Sequence, residues 1–77
     1  EQGYADAQLN LGLMYAEGIA VIQDFVKAHM WVNIASSLGH ESAAGFRDLL
    51  TDAMTSEQIA EAQRLARECV AANYKGC

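Results

Sequence analysis

Apolar and small residues recur every three or four positions in the first part of the chain, which is the spacing of one face of an α-helix. The members of this run are Ala5, Gln8, Leu9, Gly12, Tyr15 and Ala16. Gly18 follows at a position where a glycine commonly ends a helix. The pattern predicts a first helix over residues 4–17.

A second run with the same spacing starts after Asp24, whose side chain suits a helix N-cap. Its members are Phe25, Ala28, Trp31 or Val32, Ala35 and Leu38. Gly39 closes the run, so a second helix is predicted over residues 25–38. We interpret Trp31 as a core residue, with an aromatic contact to a partner as the alternative.

The second half of the chain predicts two further helices. A short third helix starts near Ser42 and carries the run Ala43, Phe46, Leu49 or Leu50, and Ala53. Thr55-Ser56-Glu57-Gln58 matches a capping box, which begins a fourth helix over residues 56–72. The inward side of this helix carries Ile59, Ala62, Leu65 or Ala66, and Cys69, opposite a solvated charged side of Glu57, Glu61, Arg64 and Glu68.

Gly12 interrupts the first helix, where a glycine is less stable than an alanine by about 0.5–1 kcal/mol. We attribute this glycine to a close approach of the second helix. In the connecting loop, residues 18–24, Val21 is the position expected to point inward and fix the loop. Helices one and two are therefore predicted to form an antiparallel hairpin.

The amino-acid composition indicates the fold class and limits the kinds of partner that the protein can bind. A chain of 77 residues forms one small domain, and its 52% hydrophobic content, rich in alanine, favours closely packed helices in an all-α fold. Ten acidic and five basic residues give a net charge of -5, which disfavours nucleic acid as a partner. Because no apolar stretch reaches the 18 or so residues that a bilayer requires, we expect no membrane span.

The helix pattern repeats along the chain. Gly3 and Gly39 are 36 residues apart, as are Ala7 and Ala43, and helix-pair repeats have periods of roughly 34–47 residues. The second copy has Arg47-Asp48 where the first has Leu11-Gly12. We therefore predict a complete helix pair over residues 1–39 and a degenerate, more polar terminal pair with a capping helix over residues 40–77.

The first pair resembles the Sel-one-like repeats, which are relatives of the tetratricopeptide repeat. The residues that carry the resemblance are Ala5, Ala7, Leu9, Leu11, Gly12, Tyr15, Gly18, Val21, Asp24, Ala28, Trp31, Ala35 and Gly39. The chain differs from the usual pattern at Ala20 and Ile22, where the family commonly has a glycine and a proline. Residues 54–63 also resemble the closing helix at the end of such arrays.

This resemblance implies an α/α superhelix, or solenoid, here a fragment made of two antiparallel helix pairs. It also implies a scaffold that binds a protein or peptide partner and has neither a cofactor nor a catalytic activity of its own. Periodicity alone predicts only a helical bundle.

Cys69 and Cys77, the two cysteines, favour a disulfide. Eight residues of continuous helix would separate their Cα atoms by about 12 Å, against roughly 4.4–6.8 Å for a disulfide, so the helix must end before Cys77. Asn73 and Gly76 tolerate the backbone conformations of such a return. The pair would place the protein in the periplasm or outside the cell, and the alternative is two reduced thiols in the cytoplasm.

The sequence contains few residues in patterns that are typical of catalysis or metal binding. The chain has no recognisable nucleophile motif or phosphate-binding loop, and Asp24 and Asp48 are interpreted as a cap and a surface residue, so we expect no enzyme. The alternative is a small metal-binding or hydrolytic helical domain that uses His29, His40 and the cysteine pair. Otherwise His29 is expected to be a partly exposed helix residue and His40 a loop residue that assists the start of helix three.

A homodimer is a further expectation. The start Glu1-Gln2-Gly3 has neither an initiator methionine nor a signal-peptide pattern, so we interpret the chain as a piece of a longer array. Without a preceding repeat, the outer face of helix one would be open, and its apolar candidates are Tyr4, Leu9 and Leu13. Such a face favours a symmetric dimer through helix one, and the alternative is a monomer that the net charge of -5 keeps soluble.

Overall fold

The computed structural model describes residues 2–77 and contains four α-helices, with no strand in that range. They are α1 (Gln2–Glu17), α2 (Phe25–Ser37), α3 (Ala43–Ala53) and α4 (Ser56–Ala71). The all-α prediction is confirmed, and the predicted bounds agree with the observed ones to within two residues. No helix in the described part of the chain has the length and apolar character that a membrane span requires.

Side chains cap two of the helices as the sequence predicts. The carboxylate of Asp24 accepts a hydrogen bond from the backbone N–H of Lys27 at 3.1 Å, which begins α2. Thr55 and Gln58 form both halves of a capping box at the start of α4. These contacts satisfy N–H groups that have no partner inside the helices, so the local sequence sets both starting points.

The loop between α1 and α2 is fixed by its backbone. Gly18 has a positive φ of 70°, and Ala20 also adopts a left-handed conformation with a φ of 65°. The backbone N–H of Asp24 donates to the carbonyl of Tyr15 at 2.9 Å and ties the end of the loop to α1. Val21 is half-buried, whereas Ile22 is 90% exposed. The loop therefore turns Val21 toward the protein, as expected, and leaves Ile22 in solvent.

Helix α2 lies at the centre of the molecule and packs against α1, α3 and α4, while α3 and α4 pack chiefly against α2. One core cluster joins α1, α2 and α3 through Leu9, Ala28, Val32, Ala35, Ala43 and Leu50. A second cluster joins α2 and α4 through Met30, Trp31, Ile34, Ala66 and Cys69. The two clusters occupy different sides of α2, so this single helix organises the whole core.

Gly12 lies at the closest approach of α1 and α2. A Cβ atom at this position would be 2.7 Å from the Cγ2 of Val32 and 3.0 Å from the carbonyl oxygen of Ala28. Both distances are shorter than normal non-bonded contacts. The predicted role of Gly12 in close helix packing is confirmed.

Two predictions about individual apolar residues are wrong. Phe46 was expected to face inward on α3, but it is 37% exposed, and Leu49 is 67% exposed; Leu50 is the leucine that enters the core. The outer side of α3 therefore carries apolar residues and is less polar than a terminal repeat was expected to be. Leu9 was expected on an open face of α1, but it is only 6% exposed because α2 covers it.

The predicted homodimer surface on α1 changes accordingly. Leu13 is half-buried beside the first core cluster, and the ring of Tyr4 packs edge-to-face on the ring of Tyr74 with centroids 5.3 Å apart. With Leu9 in the core, no continuous apolar face formed by the three predicted residues lies open. The homodimer stays a prediction, without the surface on which it was based.

Candidate functional site

A groove of about 720 Å³ lies between α2 and α4. Its lining residues are Asn33, Ile34 and Ser37 from α2, and Gln63, Ala66, Arg67, Val70 and Ala71 from α4. The volume falls in the range of sites that hold small molecules or short peptide segments. This groove is the candidate functional site.

Small residues on α4 create the groove. Ala62, Ala66 and Cys69 face α2 and are almost completely buried, so α4 can approach α2 closely along this stripe. The neighbouring stripe of α4, which includes Gln63, Arg67 and Val70, lines the groove. Residues three or four positions apart share one side of a helix, so these residues form one continuous wall.

The apolar part of the groove is accessible to solvent. Val70 is 45% exposed, and Ala71 beside it on α4 is exposed as well, whereas Ile34 on the α2 side is only 2% exposed. The exposed side chains of Val70 and Ala71 form a surface on which an apolar side chain of a ligand loses contact with water. Binding here would therefore be favoured by the hydrophobic effect.

The polar groups of the groove are neutral or positively charged. The side-chain oxygen of Asn33 accepts a hydrogen bond from Arg47 on α3 at 3.3 Å. The hydroxyl of Ser37 donates to the carbonyl of Ile34 at 2.7 Å. Arg67 is the ionisable residue among the lining residues, and no carboxylate lines the groove. The site thus combines an apolar surface with hydrogen-bonding groups and one guanidinium.

The chain after α4 turns back onto the helix. Cys69 and Cys77 lie at disulfide distance, with their Cα atoms 5.8 Å apart. Asn73 and Gly76 adopt positive φ angles of 56° and 79°, as predicted, and Tyr74 does so as well, with a φ of 64°. These conformations end α4 and bring Cys77 to the second core cluster, where the pair borders a small depression of about 250 Å³.

The residues of the metal-binding alternative do not come together. The Nε2 atom of His29 lies 3.2 Å from the hydroxyl of Thr51, and the Nε2 atom of His40 lies 2.8 Å from the carboxylate of Asp6. Across residues 2–77, no group of three or more His, Cys, Asp or Glu side chains is arranged to hold a metal ion. The histidines instead serve packing and loop contacts.

The two histidines differ in how well their roles were predicted. His40 lies in the loop before α3, and its Nδ1 atom accepts a hydrogen bond from the backbone N–H of Ser42 at 3.2 Å, as expected for a residue that assists the start of the helix. His29 was expected to be partly exposed, but it is only 2% exposed. The prediction for His29 is wrong because α3 covers this side of α2.

The burial of His29 predicts a loss of stability in mild acid. Burial lowers the pKa of His29 below its ordinary value of 6.5, and the positive charge of Arg47 lowers that pKa further. The pKa of His29 is therefore lower in the folded chain than in the unfolded chain, and between these two values the unfolded chain binds more protons. The stability contributed by neutral His29 is present above about pH 6.5 and is lost as the pH falls.

Urea unfolding between about pH 7.5 and pH 5 measures this effect. We expect the free energy of unfolding to fall with pH more steeply for the parent than for His29→Gln, which has no imidazole to protonate. Equal pH slopes for the two proteins would contradict this role of His29.

The residues of the repeat motif support the fold and do not line the groove. Gly12, Ala28 and Ala35 are buried where α1 and α2 meet, and Leu11 and Tyr15 pack partly buried against the second core cluster. Trp31 is 6% exposed, which confirms it as a core residue. Gly18, Val21 and Asp24 shape the loop between the two helices.

Sequence reasoning did not identify the residues of the groove. The available signal was the second stripe of α4, in which Gln63, Arg67 and Val70 follow one another at helical spacing beside the inward stripe. Nothing in that spacing distinguishes the wall of a groove from an ordinary solvated face. Comparisons with protein-family models, curated proteins and solved structures found no match to this chain.

Proposed function

We propose that this chain is a non-catalytic interaction module, the terminal part of a Sel-one-like repeat array, and that it binds a protein or peptide partner. The observation that carries the proposal is the groove between α2 and α4, which exposes apolar surface next to hydrogen-bonding side chains. Grooves between helices commonly bind peptide segments through apolar anchors, with polar groups that set their orientation.

Local geometry supports the repeat assignment. Gly12 allows the close approach of two antiparallel helices, and Gly18 and Asp24 define the loop between them. These are positions at which the sequence resembles the family. The residues of the hydrolytic or metal-binding alternative are spread over separate contacts, so we do not adopt that alternative.

The cysteine pair supports a proposal about location. Cys69 and Cys77 lie at disulfide distance, and disulfides persist in oxidising compartments. We therefore propose that the protein works in the periplasm or outside the cell.

Peptide selection followed by mapping tests the proposed function. A library of random peptides is selected against the immobilised protein, and the amide signals that shift on binding are then mapped by NMR. We expect the shifts to cluster at the groove, with the backbone amides of Ile34, Ala66 and Val70 among them.

Two matched variants make the test specific. Val70 and Leu49 are both exposed aliphatic residues, but only Val70 lines the groove. Val70→Asn is expected to weaken binding by about tenfold or more, because it places a polar amide on the apolar contact without adding a charge near Arg67, whereas Leu49→Asn leaves the affinity within about twofold. Failure to select any peptide, or a greater effect of the Leu49 variant, would refute the proposal.

A further inference from the structure

The groove differs in charge from the rest of the protein. The chain as a whole has a net charge of -5, yet the lining of the groove contains Arg67 and no acidic residue. Arg47 at the edge donates to Asn33, but its Nε atom lies 3.8 Å from the carboxylate of Asp48, so the charge of the groove comes from Arg67. An acidic protein therefore presents a locally positive groove, which attracts groups of negative charge.

Arg67 has no intramolecular counter-ion in the part of the chain that the structure describes. On the same helix, Arg64 is paired with Glu61 at 2.7 Å and with Glu68 at 2.8 Å. Arg67 makes no ion pair with any of residues 2–77. A guanidinium binds a carboxylate through two parallel hydrogen bonds, and this geometry is available to a ligand at Arg67.

The neighbouring side chains suit a peptide backbone. Asn33 and Gln63 carry amide groups that can donate and accept hydrogen bonds, and they line the groove from opposite helices. The lining residues of α4 extend from Gln63 to Ala71, which corresponds to about 12 Å along the helix axis. This length fits about four residues of an extended peptide or two turns of a helix.

We infer that the groove between α2 and α4 selects an acidic, partly apolar peptide segment. An apolar side chain of the segment packs on Val70 and Ala71, and an aspartate or glutamate of the segment pairs with Arg67. The inference rests on the proposed function and adds to it the chemistry of the partner. The positive charge of Arg67 favours binding of an acidic segment over a neutral or a basic segment.

Three capped peptides of about ten residues test the charge preference. The first contains leucine and glutamate, and the other two are identical except that glutamine or lysine replaces each glutamate. Fluorescence anisotropy with labelled peptides measures the dissociation constants at low and at physiological salt. We expect the glutamate peptide to bind about two- to fivefold more tightly than the glutamine peptide, because Arg67 is exposed, and we expect the preference to weaken as salt increases.

Two variants with the same change of charge identify the responsible residue. Arg67→Gln and Lys75→Gln each remove one positive charge, but Lys75 is exposed on the tail after α4 and does not line the groove. Arg67→Gln is expected to abolish the preference for glutamate over glutamine, and Lys75→Gln to retain it. Thermal unfolding of both variants checks that the fold is intact.

The outcomes separate this inference from the proposed function. Equal binding of the three peptides, tighter binding of the lysine peptide, or equal effects of the two variants would overturn the inference and leave peptide binding in place. Absence of binding by all three peptides would also overturn it. Peptide selection with the Val70 and Leu49 variants then decides the proposed function independently.

Discussion

Replacing Gly12 by alanine should lower the melting temperature by roughly 5–15 °C, because overpacking typically destabilises a small domain by about 1–3 kcal/mol. The new Cβ would lie 2.7 Å from the Cγ2 of Val32 and 3.0 Å from the carbonyl oxygen of Ala28. A side chain can rotate away, but the carbonyl belongs to the backbone of α2. The two helices must therefore move apart, and Gly12→Leu should destabilise the protein further.

Gly45 provides a matched control on another helix. Its position in α3 has no atom within 4 Å of an added Cβ, so alanine fits there without a clash. Gly45→Ala should raise the stability by about 0.5–1 kcal/mol, since alanine is the better helix former. Thermal unfolding followed by circular dichroism measures both variants. An unchanged melting temperature for Gly12→Ala would contradict the packing role of Gly12.

Loss of the Cys69–Cys77 link should lower the melting temperature by an amount similar to that expected for Gly12→Ala. The two residues are 8 positions apart in sequence, and closing so short a loop stabilises a folded chain by about 2–3 kcal/mol on the chain-entropy model. Reduction should also release the tail that places Tyr74 on Tyr4. We expect the melting temperature to fall by roughly 8–20 °C when the pair is reduced or replaced.

The single tryptophan offers a local readout of this change. Trp31 belongs to the same core cluster as Cys69, and Cys77 packs against that cluster. Reduction by a dithiol should shift the emission of Trp31 to longer wavelength, because water then reaches the second cluster more easily. A double variant, Cys69→Ser with Cys77→Ser, should melt at the temperature of the reduced parent and should not respond to the dithiol. Identical melting of the oxidised and reduced parent would contradict a stabilising link.

The local sequence was sufficient to predict the helices and their ends. Periodic spacing defined the four helices, and Asp24 and the Thr55–Gln58 box defined two of their starts, because caps act through hydrogen bonds over three residues. The turn at Asn73 and Gly76 was also predictable. The disulfide requires a short distance between Cα atoms, and a continuous helix cannot provide it at a separation of 8 residues.

Burial on the outer sides of the helices depended on the tertiary structure. His29 is buried although it was expected to be partly exposed, Leu9 is buried although it was expected on an open face, and Phe46 is exposed although it belongs to the apolar run of α3. Of the alternatives Leu49 and Leu50, the tertiary structure selects Leu50 for the core. Helical periodicity shows which residues share a face, but it does not show which neighbouring helix covers that face. The central position of α2, which contacts all three other helices, decided these cases.

The sequence by itself determined the all-α fold class, the helix ends and the turn that brings the two cysteines to disulfide distance, because these features depend on residues near one another in the chain or on a single backbone constraint. Gly12 indicated a close helix contact, but only the tertiary structure identified Ala28 and Val32 as the residues that make it. Only the tertiary structure decided where a ligand can bind. The groove requires α2 and α4 to meet along a stripe of small residues, which leaves Arg67 and Val70 beside Asn33. These residues come from helices far apart in sequence, and the angle at which two helices pack is set by the side chains of both.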